Sequence, residues 1–220
     1  AVIFAKSLGL DRDDCGFKRL ESEFPVDNRL IHFRPAGPMS YRNKDRTLPF
    51  FLKSLGHVCA ENDAQKGLIH CQSFDLARKI MDFFDGTPIG KRLITHNSGV
   101  HGAREEAIRR HTESPEPTIL LSPSMTEGLD LKDDLSRWQV ISKVPYPSLG
   151  DPFVRAKKER EERWYAWMTA LALTQATWRS VRSAKDYAST YVLDSDFDGF
   201  MARSGQMFPK WWKDAIRYER

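Results

Sequence analysis

Gln175, Arg179, Arg182 and Asp186 stand at i, i+4, i+7 and i+11, which puts all four on one face if a helix persists through them. A ridge of one amide, two guanidinium groups and a carboxylate packs poorly in a core. It suits a polyanion, because guanidinium forks donate paired hydrogen bonds to phosphate oxygens. On spacing alone, a surface helix laced with salt bridges is the alternative. Upstream, SPSMTEGLDL at 122–131 follows the apolar run Thr118–Leu121. In parallel α/β sheets ligands gather at the carboxyl ends of strands, and Gly128 there lets backbone N–H groups approach a phosphate closely.

Three other groupings imitate chemistry. Gly86–Arg92 looks like a phosphate loop, but only three residues separate Gly86 from Gly90, Pro88 lacks a donor, and Arg92 stands where Ser or Thr should hold magnesium. A plain turn is expected. Asp194, Asp196 and Asp198 before Gly199 open like a calcium loop, yet its twelfth position is Gly205 instead of a bidentate Glu. A strand end followed by a turn is expected there. Glu127, Asp130, Asp133 and Asp134 crowd one segment; they read either as a metal site for hydrolysis or as an ordinary acidic loop. Cys15, Cys59 and Cys71 match no disulfide, zinc or iron–sulfur spacing and are expected as free thiols, buried in the fold.

These residues need a scaffold. Strands are predicted at Leu30–Phe33, Gly67–Cys71, Leu93–His96, Thr118–Ser122, Gln139–Val144 and Thr190–Asp194, with helices such as Phe74–Phe84 and Gly102–His111 between them. That alternation implies βαβ units and a mostly parallel sheet with helices on both faces, in one α/β domain. Arg34–Thr47, with Arg42, Lys44 and Arg46, is predicted as an exposed loop, and Pro145–Pro152 as a second. One long helix is predicted over Phe153–Ser183. The chain has 220 residues, a formal charge of +4, 40% hydrophobic residues and 13 Phe. This excludes a disordered chain and a polycation. No run approaches the roughly 18 apolar residues of a membrane helix, so the chain reads as intracellular.

The motifs resemble those of a known family. TEGLDL at 126–131 resembles motif V, and QATWRSVR at 175–182 motif VI, of superfamily 2 helicases of the XPD/DinG type. His70–Phe74 (HCQSF) resembles motif IV. The same family's pattern is met at Val144–Pro147 with Asp151-Pro152, at Asp186 and Tyr191–Asp194, and at Phe208, Pro209 and Trp211. Phe4–Leu10 and Glu21–Pro25 resemble the entry into the second motor domain. Trp178 departs from the pattern by replacing the glycine of motif VI, and Ala188 stands where a glycine often occurs.

The resemblance implies that residues 1–220 form a second RecA-like domain, with the first motor domain and its Walker motifs outside this sequence. It implies Arg182 and Arg179 reaching the γ-phosphate in trans, one of them as the arginine finger, with Gln175 orienting an arginine or the phosphate, and Gly128, Asp130 and Glu127 on the nucleotide side. Ser73 and Thr126 would contact the phosphates of single-stranded DNA, translocated 5′ to 3′. ATP and Mg2+ would be held mainly by the first domain in cis, no metal by this one, and an iron–sulfur cluster would belong only to the missing part. The protein is expected to be a monomer, and this segment alone at most a weak ATPase. The rivals are a RecA-like scaffold without motor activity and a metal-dependent nuclease built on the acidic loop.

Overall fold

The computed structural model describes the chain apart from residues 1, 12, 14, 17, 19, 41, 124–130, 132, 179, 182 and 220, with the backbone alone at residues 2 and 7. Seven strands form one sheet: β1 Ile31–Gly37, β2 Gly67–His70, β3 Leu93–Ile94, β4 Ile119–Ser122, β5 Trp138–Ile141, β6 Ser189–Asp194 and β7 Ile216–Tyr218. Their order is β3-β4-β2-β5-β6-β1-β7, and every pairing is parallel. The helices are α1 Val2–Ser7, α2 Lys44–Glu61, α3 Phe74–Phe84, α4 Pro88–Arg92, α5 Ala103–Glu113, α6 Pro152–Arg160, α7 Glu162–Thr177, α8 Asp196–Ser204 and α9 Lys210–Lys213.

Successive strand residues point to opposite faces, so a continuous apolar strand feeds two cores. Ile69, Leu121 and Val140 pack with Phe51 and Leu55 of α2 and Ile80 and Phe84 of α3. On the other face Ile31, Phe33, Ile141 and Val192 meet Leu173 of α7, Phe197 of α8 and Trp212 of α9. Leu68, Leu120 and Ile94 meet Ala107 of α5. A buried polar ladder crosses the sheet between β2, β5 and β6: the Gln139 carbonyl pairs with His70 Nε2 at 3.1 Å, and its amide donates to Thr190 Oγ1 at 2.9 Å.

α3 has its predicted bounds, because Leu76, Ala77, Ile80 and Phe84 bury one face. Three expectations are corrected. Arg34–Gly37 is strand, since the Gly37 carbonyl accepts from Ser195 N–H at 3.1 Å beside β6, and Lys44–Thr47 already belongs to α2. The predicted long helix breaks at Glu161, where α6, which buries no side chain, gives way to α7. It then ends at Thr177, whose hydroxyl accepts a bond from the buried Trp212 indole at 2.8 Å. β7 was not predicted; its three residues carry too little pattern to read.

Candidate nucleic-acid and nucleotide interfaces

The carboxyl ends of β1, β2, β5 and β6 open on one rim of the sheet. Asp194, wholly buried at the end of β6, joins the loops there. Its Oδ1 accepts from Met39 N–H at 3.0 Å and Asp196 N–H at 3.1 Å, and its Oδ2 from Val144 N–H at 2.9 Å. Burial pushes this carboxyl above the ordinary aspartate range, while the three amide donors pull it back down. The calcium-like run is therefore a strand end, as expected, but it is followed by the helix α8 and not by a turn alone, with Asp194 committed to backbone donors.

Ser73 follows β2 and caps α3, its oxygen accepting from Leu76 N–H at 3.1 Å. That leaves the hydroxyl hydrogen free to be donated elsewhere. Gln72 holds the left-handed conformation at φ +58° and donates its side-chain amide to the Lys143 carbonyl. Ser73, Gln72, Lys44, Lys79 and Lys143 line a cavity of about 180 Å³. Asp75 pairs with Lys44 at 3.4 Å, Lys79 at 3.2 Å and Arg78 at 3.1 Å. Lys79 and Arg78 thereby hold its carboxyl below the usual range. Lys44 lies in the first turn of α2, inside this cavity, and not on a free loop; Arg46 is exposed on the same helix.

At the opposite, amino-terminal rim, Ser136 and Arg137 meet Ser180, Asp186 and Tyr187. Ser136 and Ser180 share a hydrogen bond of 2.7 Å. Arg137 donates to Asp134 Oδ1 at 2.9 Å, to the Tyr187 carbonyl at 3.0 Å and to the buried Asp186 at 2.6 Å. Asp186 therefore does not share a helical face with Gln175: the helix has ended, and this carboxylate is turned in to neutralise Arg137. Gln175 is exposed in the last turn of α7. Arg179, Arg182, Thr126, Glu127, Gly128 and Asp130 lie outside the described residues.

Trp178, at the glycine position of motif VI, packs 4.9 Å from Trp211 and 5.0 Å from Phe24, ring centre to ring centre. Arg29 braces this cluster by donating to the Phe24 carbonyl at 3.1 Å and the Trp211 carbonyl at 2.6 Å. Nothing in the sequence singled out Arg29, Arg137 or Lys143, and Asp194 was read there only as a strand end and part of the calcium-like run. The only local signal was a charged residue abutting a buried strand.

Among the described residues no three His, Cys, Asp or Glu side chains converge as a metal site. Asp134 is engaged with Arg137. Cys59 and Cys71 are free and buried; Cys15 is free but half-exposed, which corrects its predicted burial. Burial pushes the Cys59 thiol up to about 12. The run resembling a phosphate site is a turn only at Gly86; contrary to expectation, Pro88–Arg92 forms the short helix α4. Thr87 caps α4, and Arg92 donates to the carbonyls of Pro117, Cys59, Asn62 and Gln65 at 2.7–3.1 Å. No described helix is long and apolar enough to cross a membrane.

An all-parallel seven-stranded sheet with helices on both faces is the RecA-like architecture. It is shared at TM-score 0.54 with the C-terminal domain of the DEAD-box protein Dbp5 (12% identity, covering 89% of this chain and 91% of that one). Residues 56–215 match the helicase C-terminal domain family, and the chain belongs to that family. It is similar to XPD in its apo form, at TM-score 0.67 and 15% identity over 99% of this chain and 46% of that one. It is also similar to the S. tokodaii protein Xpd4, at TM-score 0.61 and 18% identity over 87% of this chain and 38% of that one. Among curated proteins, the Drosophila melanogaster regulator of telomere elongation helicase 1 homolog is 31% identical over 100 residues, 40% of this chain and 10% of that protein. The Homo sapiens regulator of telomere elongation helicase 1 is 27% identical over 108 residues, 42% of this chain and 9% of that protein. The matched stretch thus spans about a tenth of these relatives. The chain is thus a helicase C-terminal domain with a RecA-like fold, structurally similar to XPD.

Proposed function

We propose that residues 1–220 are the second motor half of an ATP-driven helicase that tracks along single-stranded DNA. The observation that carries this is the carboxyl rim: in a chain of the helicase C-terminal family, Ser73 keeps a free hydroxyl donor in a lysine-lined cavity at the strand ends. Ser73 and Thr126 contact backbone phosphates without reading bases. Arg182 and Arg179 act on the γ-phosphate of ATP held by a first motor domain in cis, with Gln175 orienting an arginine or the phosphate. Their guanidinium groups stabilise charge that spreads over the transferred phosphoryl oxygens. Gly128 and Asp130 line the nucleotide side, and Glu127 relays closure towards the DNA.

Mg2+ neutralises phosphate charge in such reactions; its ligands belong to the first domain, as does any iron–sulfur cluster. The protein works as a monomer inside the cell.

DNA-stimulated ATP hydrolysis tests the proposal, measured on this chain alone and joined to a first motor domain, each with and without Arg182→Ala. Turnover is expected only from the joined protein, with a loss of about 10³-fold or more on removing Arg182. Turnover indifferent to Arg182 overturns it.

A further inference from the structure

The cavity beside Ser73 carries one cation more than its own acids neutralise. Its charged lining is Lys44, Asp45, Asp75, Lys79 and Lys143. Asp75 is engaged by Lys44 and Lys79, and Asp45 by Lys79. Lys143 forms no ion pair among the described residues. It is half-buried at the point where the chain leaves β5.

The backbone under Lys143 is held from both sides. Its carbonyl accepts the Gln72 amide, and the next residue, Val144, donates its N–H to the buried Asp194. Gln72 does this from a left-handed conformation, φ +58°, which non-glycine residues seldom adopt. That conformation places Ser73 and Lys143 on the walls of one cavity, although 70 residues of sequence separate them.

We infer that Lys143 and the Ser73 hydroxyl form a phosphodiester subsite, in which Lys143 supplies the uncompensated charge and Ser73 a neutral donor. The inference rests on the single-strand reading above and adds to it a division of labour between the two residues. Neutralising one phosphate of a single strand releases counterions, so each such contact contributes about 0.7 to the slope of log K against log salt. A neutral hydroxyl contributes affinity without contributing to that slope.

The test is the binding of fluorescent oligo(dT) to the chain across a salt series, for the wild type and for Lys143→Ala, Lys143→Arg and Ser73→Ala, with thermal melting alongside. Lys143→Ala is expected to lower the slope by about 0.7, equally for oligo(dA), and Lys143→Arg to restore it. Ser73→Ala is expected to weaken binding with the slope unchanged. An unchanged slope in Lys143→Ala, or a loss that only follows a lowered melting temperature, overturns the inference. Wild-type protein that binds no oligonucleotide overturns the single-strand reading itself, which distinguishes the two failures.

Discussion

Asp194 offers a sharp test of how the carboxyl rim is built. Asp194→Ala removes the acceptor of three backbone N–H groups, from Met39, Val144 and Asp196, at a site with no solvent exposure. Each hydrogen bond to a charged group is worth about 1.5–3 kcal/mol, and an orphaned buried donor costs a similar amount. Entry of water offsets part of that loss, so a net cost of about 4 kcal/mol is expected, a large fraction of the roughly 5–15 kcal/mol that stabilises a domain. Asp194→Asn separates the two carboxylate oxygens. One oxygen serves both Met39 and Asp196, so the amide keeps its carbonyl there and turns its NH2 towards Val144 N–H. One bond is lost and two donors face each other, at a cost of about 2 kcal/mol.

Urea unfolding followed by tryptophan fluorescence measures both variants, and hydrogen exchange locates the effect. In Asp194→Asn the Val144 amide should exchange faster while that of Met39 stays protected. Oligo(dT) binding should weaken, because the freed loop carries Lys143. An Asn variant as unstable as the Ala variant, or one that frees Met39 and leaves Val144 protected, would refute the assigned geometry.

Two further outcomes follow from the fold. In Gly67→Ala the new Cβ would lie 2.1–2.5 Å from ring atoms of Trp138, a fully buried side chain whose indole is bonded to the Gln65 carbonyl. Overpacking of this kind costs about 3 kcal/mol or more, and at roughly 2–4 °C per kcal/mol the melting temperature should fall by about 6–12 °C. A variant that melts with the wild type would show that Trp138 can move. His111 donates from Nε2 to the Leu135 carbonyl and accepts Thr118 Oγ1–H at Nδ1, and burial lowers its pKa below the ordinary histidine value. Below about pH 6.5 the unfolded chain therefore binds a proton that the fold resists. Stability should fall as the pH drops from there towards the folded pKa, and His111→Gln should flatten that limb of a denaturant series taken against pH; an unaltered limb refutes the assignment.

Much of the scaffold was legible because it is written in short-range pattern. Apolar side chains at three- and four-residue spacing bounded α3, and β-branched runs marked six of the seven strands. The helicase C-terminal family was legible as residue order. The helical face drawn through Gln175 and Asp186 was not, because spacing presupposes a helix that nothing local guarantees. That helix stops at Thr177, where Trp212 takes the hydroxyl and Trp178 turns towards Phe24 and Trp211.

What the sequence by itself determined was the alternation of strands and helices, hence the parallel sheet, and the family of the motifs. Only the tertiary structure decided which polar groups satisfy one another. Arg137 and Asp186 are 49 residues apart, and Met39 and Asp194 are 155 apart. A buried charge or orphaned amide costs several kcal/mol wherever its partner lies along the chain, so these pairings are set by which loops the sheet order makes neighbours. The β5–β6–β1 adjacency places Met39, Val144 and Asp194 together, and no local spacing encodes that adjacency.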